Sequence, residues 1–336
     1  MGTGGDARRV SRREPLPTLS ALSRRGREDL GRRSATLADR RRQRHRGQRR
    51  GPGGCEPRPL CRLGSRTCAG RLPRTRWCLR RQRLPPLPES RVSEVVFIGT
   101  SDAFGAGGRR QSAVFARGER GGMLFDCGGT TNSGLTQLGI DREEIEVILI
   151  SHFHGDHFGG IPAFLYASLY TDARKEPLEI VGPPEIEARV RALATALGHP
   201  LDGGEWSFPI GFHELHAGER RSAGPAQIEA FATQHQLESN PQGYRIQLGR
   251  EKIAYSGDTG WFGGLPGHVA GSDLFICECT QCNAELDFHL SLEELREHRD
   301  DLDCGRLILT HLGNEMARER GQIEIETADD GMTVKL

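Results

Sequence analysis

Ser151-His152-Phe153-His154-Gly155-Asp156-His157 follows directly on Ile145-Glu146-Val147-Ile148-Leu149-Ile150. The second stretch, β-branched and apolar to its end, reads as a buried strand. The first packs three imidazoles and a carboxylate into six residues at the end of that strand. Imidazole nitrogen and carboxylate oxygen are donors that borderline cations such as Zn²⁺ prefer. Alternation in an extended loop puts His152 and His154 on one side. Asp156 and His157 fall past the bend at Gly155, where they can face a second metal. The bland alternative is a cluster of four polar groups at a strand end with no task.

Working outward, further donors recur in the same setting. His235 ends a strand over Ile228 to Thr233, Asp258 follows Tyr255-Ser256-Gly257 at the end of another, and His311 follows Leu309-Thr310 at the end of a third. Strand-end placement is what they share. Taken alone, a histidine such as His235 would more often be a surface or core residue. His199, His213, His216, His268 and His298 lack that setting and read as structural.

The remaining pattern is a series of short strands with a few helices. Val95 to Ile98, Ala113 to Ala116, Met123 to Phe125, Leu178 to Val181, Tyr244 to Leu248, Ile253 to Tyr255, Leu274 to Cys277 and Arg306 to Thr310 read as strands. Pro162 to Tyr170 reads as a helix. Glu185 to Leu197 reads as another, opened by Pro184 and closed by Gly198. Ser291 and Glu294 form a capping box for a third. Ile323 to Ile325 and Thr333 to Leu336 are expected to form a last hairpin across Asp330-Gly331. Strands in two groups with few helices imply an α/β fold of two packed sheets with helices outside.

Charge divides the chain. Residues 1–91 hold 26 Arg, no Lys and seven acids, a net of +19, and residues 92–336 carry a net of −18. The basic segment also has nine of the 18 prolines. It cannot bury enough apolar surface to offset its ordering entropy and reads as disordered. Arginine without lysine is the codon signature of GC-rich DNA, so a start assigned too far upstream is the leading reading. A basic arm for nucleic acid is the second. A transit peptide is the third, disfavoured by the acids. The folded domain is expected over 92–336. No apolar run of 18 or more residues exists to span a membrane. The nine cysteines, Cys55, Cys61, Cys68, Cys78, Cys127, Cys277, Cys279, Cys282 and Cys304, are odd in number and irregular in spacing. They argue against a disulfide framework and for a reducing cytoplasm.

Over residues 93–336 the chain resembles the metallo-β-lactamase superfamily, and within it the ribonuclease Z and cyclic-phosphodiesterase branch. The matching pieces are Phe125-Asp126-Cys127-Gly128, the His152–His157 run, His235, Ser256-Gly257-Asp258-Thr259, Glu278, His289 and Thr310-His311. The resemblance implies an αββα sandwich with a binuclear site at one edge. It would place His152, His154 and His235 on one metal, Asp156, His157 and His311 on the other, and Asp258 between them. Two Zn²⁺ are expected, with Mn²⁺ or Fe as alternatives. Asp126 matches an acid that orients the histidine loop from behind. Aspartate rather than cysteine at position 258 favours the phosphodiesterase and hydrolase branches over thiolate-binding β-lactamases.

Two such metals, about 3.5–4 Å apart, clamp a phosphodiester and lower the pKa of a bridging water, whose hydroxide attacks phosphorus. The catalytic set is then Asp156, His289 and Glu278. His289 matches the family's proton donor to the leaving alkoxide, and Glu278 its carboxylate partner. The bland alternative is a surface histidine flanking a helix. Two departures bear on substrate. No long basic insertion, the arm that grips tRNA in ribonuclease Z enzymes, lies between Val181 and His235. Cys127-Gly128-Gly129-Thr130-Thr131 replaces the Glu-Gly-Thr-Gln run usual there. The acidic domain also lacks an electropositive footprint for tRNA. Arg109 and Arg110 could meet a substrate phosphate or be solvated surface.

The resulting expectation is a metal-dependent phosphodiesterase acting on a small phosphodiester. A tRNA 3′-processing nuclease is the alternative, as is a hydrolase of lactones, thioesters or sulfate esters. A metal protein without catalysis is the residual reading. RNA is a further partner to consider, no membrane is expected, and the family's two-fold assembly admits a homodimer.

Overall fold

The computed structural model describes residues 93–203 and 205–336. The segment 1–91 and its expected disorder lie outside the described residues. The first half runs β1 (Glu94–Gly99), β2 (Ala113–Gly118), β3 (Gly121–Phe125), α1 (Thr131–Leu138), β4 (Ile145–Leu149), α2 (Gly155–Phe158), α3 (Ile161–Tyr170), β5 (Leu178–Gly182), α4 (Ile186–Ala196) and β6 (Ile210–Glu214). The second runs β7 (Arg220–Ala223), β8 (Ala226–Ala232), β9 (Gln242–Leu248), β10 (Glu251–Tyr255), α5 (Leu265–Val269), β11 (Ser272–Glu278), α6 (Leu292–Glu297), β12 (Cys304–Thr310), α7 (Asn314–Glu319) and β13 (Thr333–Lys335).

Two sheets result, in the orders β13-β1-β2-β3-β4-β5-β6 and β12-β11-β10-β9-β8-β7. Side-chain alternation along each strand builds three apolar layers from them. Val95 and Phe97 of β1 face the layer between the sheets, where they meet Ile253 and Tyr255 of β10 and Leu274 and Ile276 of β11. Val96 and Ile98 face outward, under the helices α1, α3 and α4. Ala254, Phe275 and Leu309 face outward from the second sheet, toward α5, α6 and α7. That is the αββα sandwich expected from the sequence. Truncating a buried centre such as Leu149 to alanine costs about 2–5 kcal/mol.

Local signals explain several element ends. The Ser291 hydroxyl accepts from the Glu294 amide while the Glu294 carboxylate accepts from the Ser291 amide, so α6 starts on a complete capping box. Gly139, at φ 67°, ends α1, a helix of Thr, Asn, Ser and Gly that propensity does not announce. It forms because Leu135 is buried against the first sheet.

One expected element differs. Thr333–Lys335 does not pair with Ile323 to Ile325. It is the edge strand of the first sheet, antiparallel to β1, with Val95 opposite Val334. Val334 buries itself between the sheets and Ile325 packs in the outer layer, so the two segments belong to different layers. A hairpin pattern in sequence cannot see the free edge of β1.

Topology sets the position of the site. Strands β3 and β4 run parallel, as do β10, β11 and β12. Their C-terminal ends therefore gather at one edge of the sandwich. Among the described residues no helix is long and apolar enough to cross a membrane.

Candidate metal centre

The strand β4 delivers the histidine run. Ser151 to His154 leave it extended, and α2 then turns Asp156 and His157 inward, with His154 at its N-terminal boundary. Two close approaches hold this loop. The Cys127 amide donates to the His157 carbonyl at 2.6 Å. Beside it, a Cβ on Gly128 would lie 1.9 Å from the Asp156 carbonyl oxygen, so only glycine fits. Gly257, at φ 56°, makes the turn that brings Asp258 off β10. Asp126 and His311 adopt the left-handed region without being glycine, at φ 59° and 53°. Such strain persists where surrounding contacts over-determine it, commonly at functional sites.

The tertiary fold brings all seven expected metal donors together. His152, His154, His235 and Asp258 offer ligand atoms within 4.8 Å of one another, and so do Asp156, His157, Asp258 and His311. In the first group His152 Nε2 and His235 Nε2 lie 3.0 and 3.2 Å from His154 Nδ1. In the second, His157 Nε2 is 3.0 Å from Asp156 Oδ2, and His311 Nε2 is 3.4 Å from it. Asp258 Oδ2 belongs to both, at 3.7 Å from His152 Nε2 and 3.4 Å from the Nε2 atoms of His157 and His311.

Four of the imidazoles are oriented from behind. His157 Nδ1 meets Asp126 Oδ2 at 2.7 Å, and His235 Nδ1 meets the Phe288 carbonyl at 2.8 Å. Both partners only accept, so each Nδ1 carries a proton and each Nε2 faces inward. The Ser151 hydroxyl gives its proton to Asp126 at 2.8 Å, so it accepts from His152 Nδ1 at 3.0 Å. His311 Nδ1 lies 2.9 Å from Thr280 Oγ1. Asp126 also takes the Ser151 amide at 2.7 Å and the Tyr255 hydroxyl at 2.5 Å. A buried carboxylate with four donors is a fixed post for the loop.

The donor set fits divalent cations. His157 Nε2 is buried and, although Asp156 Oδ2 lies 3.0 Å away, makes no aligned hydrogen bond among the described residues, as a nitrogen reserved for a metal would. Burial lowers the His152 imidazole well below its ordinary value, and His157 adds to this, which keeps it neutral. Burial alone would raise Asp258, but the His157, His311 and His152 imidazoles outweigh it and hold the carboxyl well below the usual range. Two carboxylates facing inward among imidazole nitrogens are the donor set that a borderline cation prefers.

Beside this cluster stands a second pair. His289 Nδ1 is 2.8 Å from Glu278 Oε1 and 4.0 Å from Asp258 Oδ2. Burial pulls the imidazole down, but the hydrogen-bonded Glu278 carboxylate more than reverses this and lifts it to about 9. Glu278 is itself pinned by the Thr259 amide at 2.8 Å and the Thr280 hydroxyl at 2.9 Å. Glu278, His289 and His311 also converge within 4.8 Å, so this pair adjoins the metal-donor groups.

Arg109 and Arg110, for which substrate phosphate and solvated surface are both open readings in the sequence, are each partnered within the chain. Arg109 binds Asp329 at 2.6 Å. Arg110 spends its Nε on the Ile98 carbonyl and its Nη1 on Gln137, both at 2.6 Å. Both latch the first loop to the chain's last turn, because Asp329 and Asp330 come back beside β1. Sequence reading gives no role to Ser151, Tyr255, Thr280 or the Phe288 carbonyl. Only adjacency to the motif residues hints at three of them, and Tyr255 reads there as part of an apolar strand.

The profile of the family described as anti-Pycsar protein Apyc1 matches residues 93–329, most of the chain. The chain belongs to this family. It is also similar to ribonuclease Z of Natronomonas pharaonis, 37% identical over 70% of this chain and 92% of the relative. Ribonuclease Z of Methanothermobacter thermautotrophicus is 28% identical over 73% of this chain and 97% of its own length. Among solved structures, the short form of human tRNase Z superposes with a TM-score of 0.59 at 27% identity, covering 72% of this chain and 98% of that one. The family member described here is therefore a phosphodiesterase-like hydrolase of the metallo-β-lactamase superfamily, on the ribonuclease Z-like branch.

Proposed function

We infer that the protein hydrolyses small phosphodiesters at a two-metal centre, with Zn²⁺ the favoured ion and Mn²⁺ or Fe as alternatives. The observation that carries this is Asp258 Oδ2 shared between two donor groups, with the Glu278–His289 pair beside it. His152, His154 and His235 would hold one ion, Asp156, His157 and His311 the other, and Asp258 would bridge. When bound, the two ions supply Lewis acidity to the phosphoryl oxygens and acidify a water for attack.

The chain's own residues do the rest. Asp126, Ser151, Thr280 and the Phe288 carbonyl fix the imidazole rings, so little reorganisation is needed on binding. Asp156 adds its carboxylate to the second donor group. His289, with Nδ1 committed to Glu278, holds a proton at Nε2 for the departing alkoxide. Glu278 stabilises that protonated ring and is held in turn by Thr259 and Thr280.

Small substrates are favoured over tRNA by the stretch between β5 and His235. It contains α4, β6, β7 and β8, and no long arm among the described residues. The names of the relatives favour the second reading, tRNA 3′ processing. A substrate panel on metal-reconstituted protein separates them. We expect turnover of cyclic or short linear nucleotide diesters, weaker cleavage of precursor tRNA, and none of lactones, thioesters or sulfate esters. Faster cleavage of precursor tRNA than of any small diester would overturn the first reading. Activity confined to a carboxylic or sulfate ester would overturn both.

A further inference from the structure

Far from the metal centre, the outer face of the second sheet carries a cavity of about 370 Å³. Helices α5, α6 and α7 cover the β10–β12 side of that face. The cavity opens on the β7–β10 side. Cross-strand register sets Glu229, Arg245 and Ala254 in one row of its floor and Gln227, Gln247 and Lys252 in the next. Lys252, near the start of β10, precedes Asp258 by six residues. That puts it on the order of 15–20 Å from the metal donors.

Its chemistry is unlike that of the domain around it. Residues 92–336 carry a net charge of −18, yet this cavity is lined by Arg220, Arg221, Arg245 and Lys252 against one acid, Glu229. Glu229 is taken by Arg220 at 3.0 Å, and Arg221 is turned onto His213 at 2.7 Å. Neither Arg245 nor Lys252 has a carboxylate partner among the described residues. They sit diagonally on neighbouring strands, about 7–8 Å apart, so one bound anion can meet both.

Two further groups point to a ligand. Ser272 lines the cavity, and its buried hydroxyl has no hydrogen-bond partner among the described residues. Such a group carries a desolvation cost that a bound acceptor or donor removes. The His268 ring, stacked on Phe231 at 4.3 Å and 6°, presents an aromatic wall, and Gln227 and Gln247 add amides that can both donate and accept. The volume is at the small end for ligand sites, about 300–1,000 Å³. That suits one nucleotide and excludes a folded RNA.

We propose that this cavity is a second, non-catalytic site that takes a phosphomonoester of mononucleotide size. Arg245 and Lys252 meet the phosphate, and the amide and imidazole groups meet the nucleoside. It is independent of the metal centre and does not require the proposed substrate to be correct.

Calorimetric titration of the metal-loaded full-length protein with adenosine 5′-monophosphate tests this. Inorganic phosphate and a short single-stranded RNA serve as the other probes. The expected result is one nucleotide bound per chain and retained in Asp258→Ala. Binding should weaken roughly tenfold or more in Arg245→Gln, as loss of a charge-assisted contact implies. Lys252→Glu, an exposed change that spares the fold, should weaken it similarly. Hydrolysis of bis-nitrophenyl phosphate by Arg245→Gln should stay near wild type. Binding that vanishes in Asp258→Ala and survives in Arg245→Gln overturns the proposal, since the nucleotide then sits at the metal centre. Phosphate binding as tight as the nucleotide's overturns the nucleoside part. RNA binding more than tenfold tighter, and lost in Arg245→Gln, makes the face an RNA surface instead.

Discussion

Three imidazoles and one shared carboxylate oxygen make up the His152, His154, His235 and Asp258 group, whereas two imidazoles and two carboxylates make up the group of Asp156, His157, His311 and Asp258. The second is buried throughout, while His154 leaves the first half-open. Their supports differ too. Behind His157 stands the Asp126 carboxylate, and behind His235 only a backbone carbonyl. More anionic charge, deeper burial and an anionic support should hold a dication more tightly in the second group. The first is the better placed to exchange ions and admit a substrate.

Asp258→Ala should break the comparison altogether, because both groups lose their common oxygen. Elemental analysis should then show both ions lost, and turnover should fall by several kcal/mol of barrier, on the order of 10³-fold or more. Retention of two ions would sink the bridging assignment. His235→Ala and Asp156→Ala should split the groups, each leaving one ion. If the second group is the tighter, a graded chelator titration of the wild type should empty one site well before the other. His235→Ala should then keep the slow-leaving ion and Asp156→Ala the fast one.

His289→Ala tests what lies outside both groups. Metal content should be unchanged, and the loss on a nucleotide diester should approach the roughly 10²–10⁴-fold typical of general acid catalysis. A nitrophenolate leaves without a proton, so bis-nitrophenyl phosphate should lose far less. Equal losses on both substrates would make His289 a positioning residue. Asp126→Asn is expected to be smaller, about 10–100-fold in metal affinity, and confined mainly to the second group. If both ions weaken alike, the carboxylate supports the whole loop through Ser151 rather than His157 in particular. Arg109→Ala should be smallest. It removes a partly exposed ion pair, costs about 0–1 kcal/mol of stability, and should leave KM for the diester unchanged.

The legible part of this protein was legible for a physical reason. Strand alternation exposes the core faces, as with Val95 and Phe97 against Val96 and Ile98. The His152–His157 run compresses four donors into one loop, where spacing alone carries meaning. His235, Asp258 and His311 were visible as strand-end polar residues, yet they stand far apart in sequence. Nothing local could say that their ends meet. Residues that act only through partners were hidden. Tyr255 is an ordinary strand aromatic until its hydroxyl is found on Asp126. Thr280 is an ordinary threonine until Glu278 and His311 converge on it.

Sequence by itself determined the apolar layers, the donor chemistry and the charge split of the chain, because each depends on residue type and on spacing along one element. Tertiary structure alone decided that Thr333–Lys335 joins β1, that Arg109 is consumed by Asp329, and that Arg110 is held by the Ile98 carbonyl, Gln137 and Asp330. It alone decided that one oxygen of Asp258 serves two groups, and that Arg245 and Lys252 share a cavity floor. Each of these is a contact between segments distant along the chain. Such contacts are set by which strand edges and faces pack together, and local propensity carries no record of that.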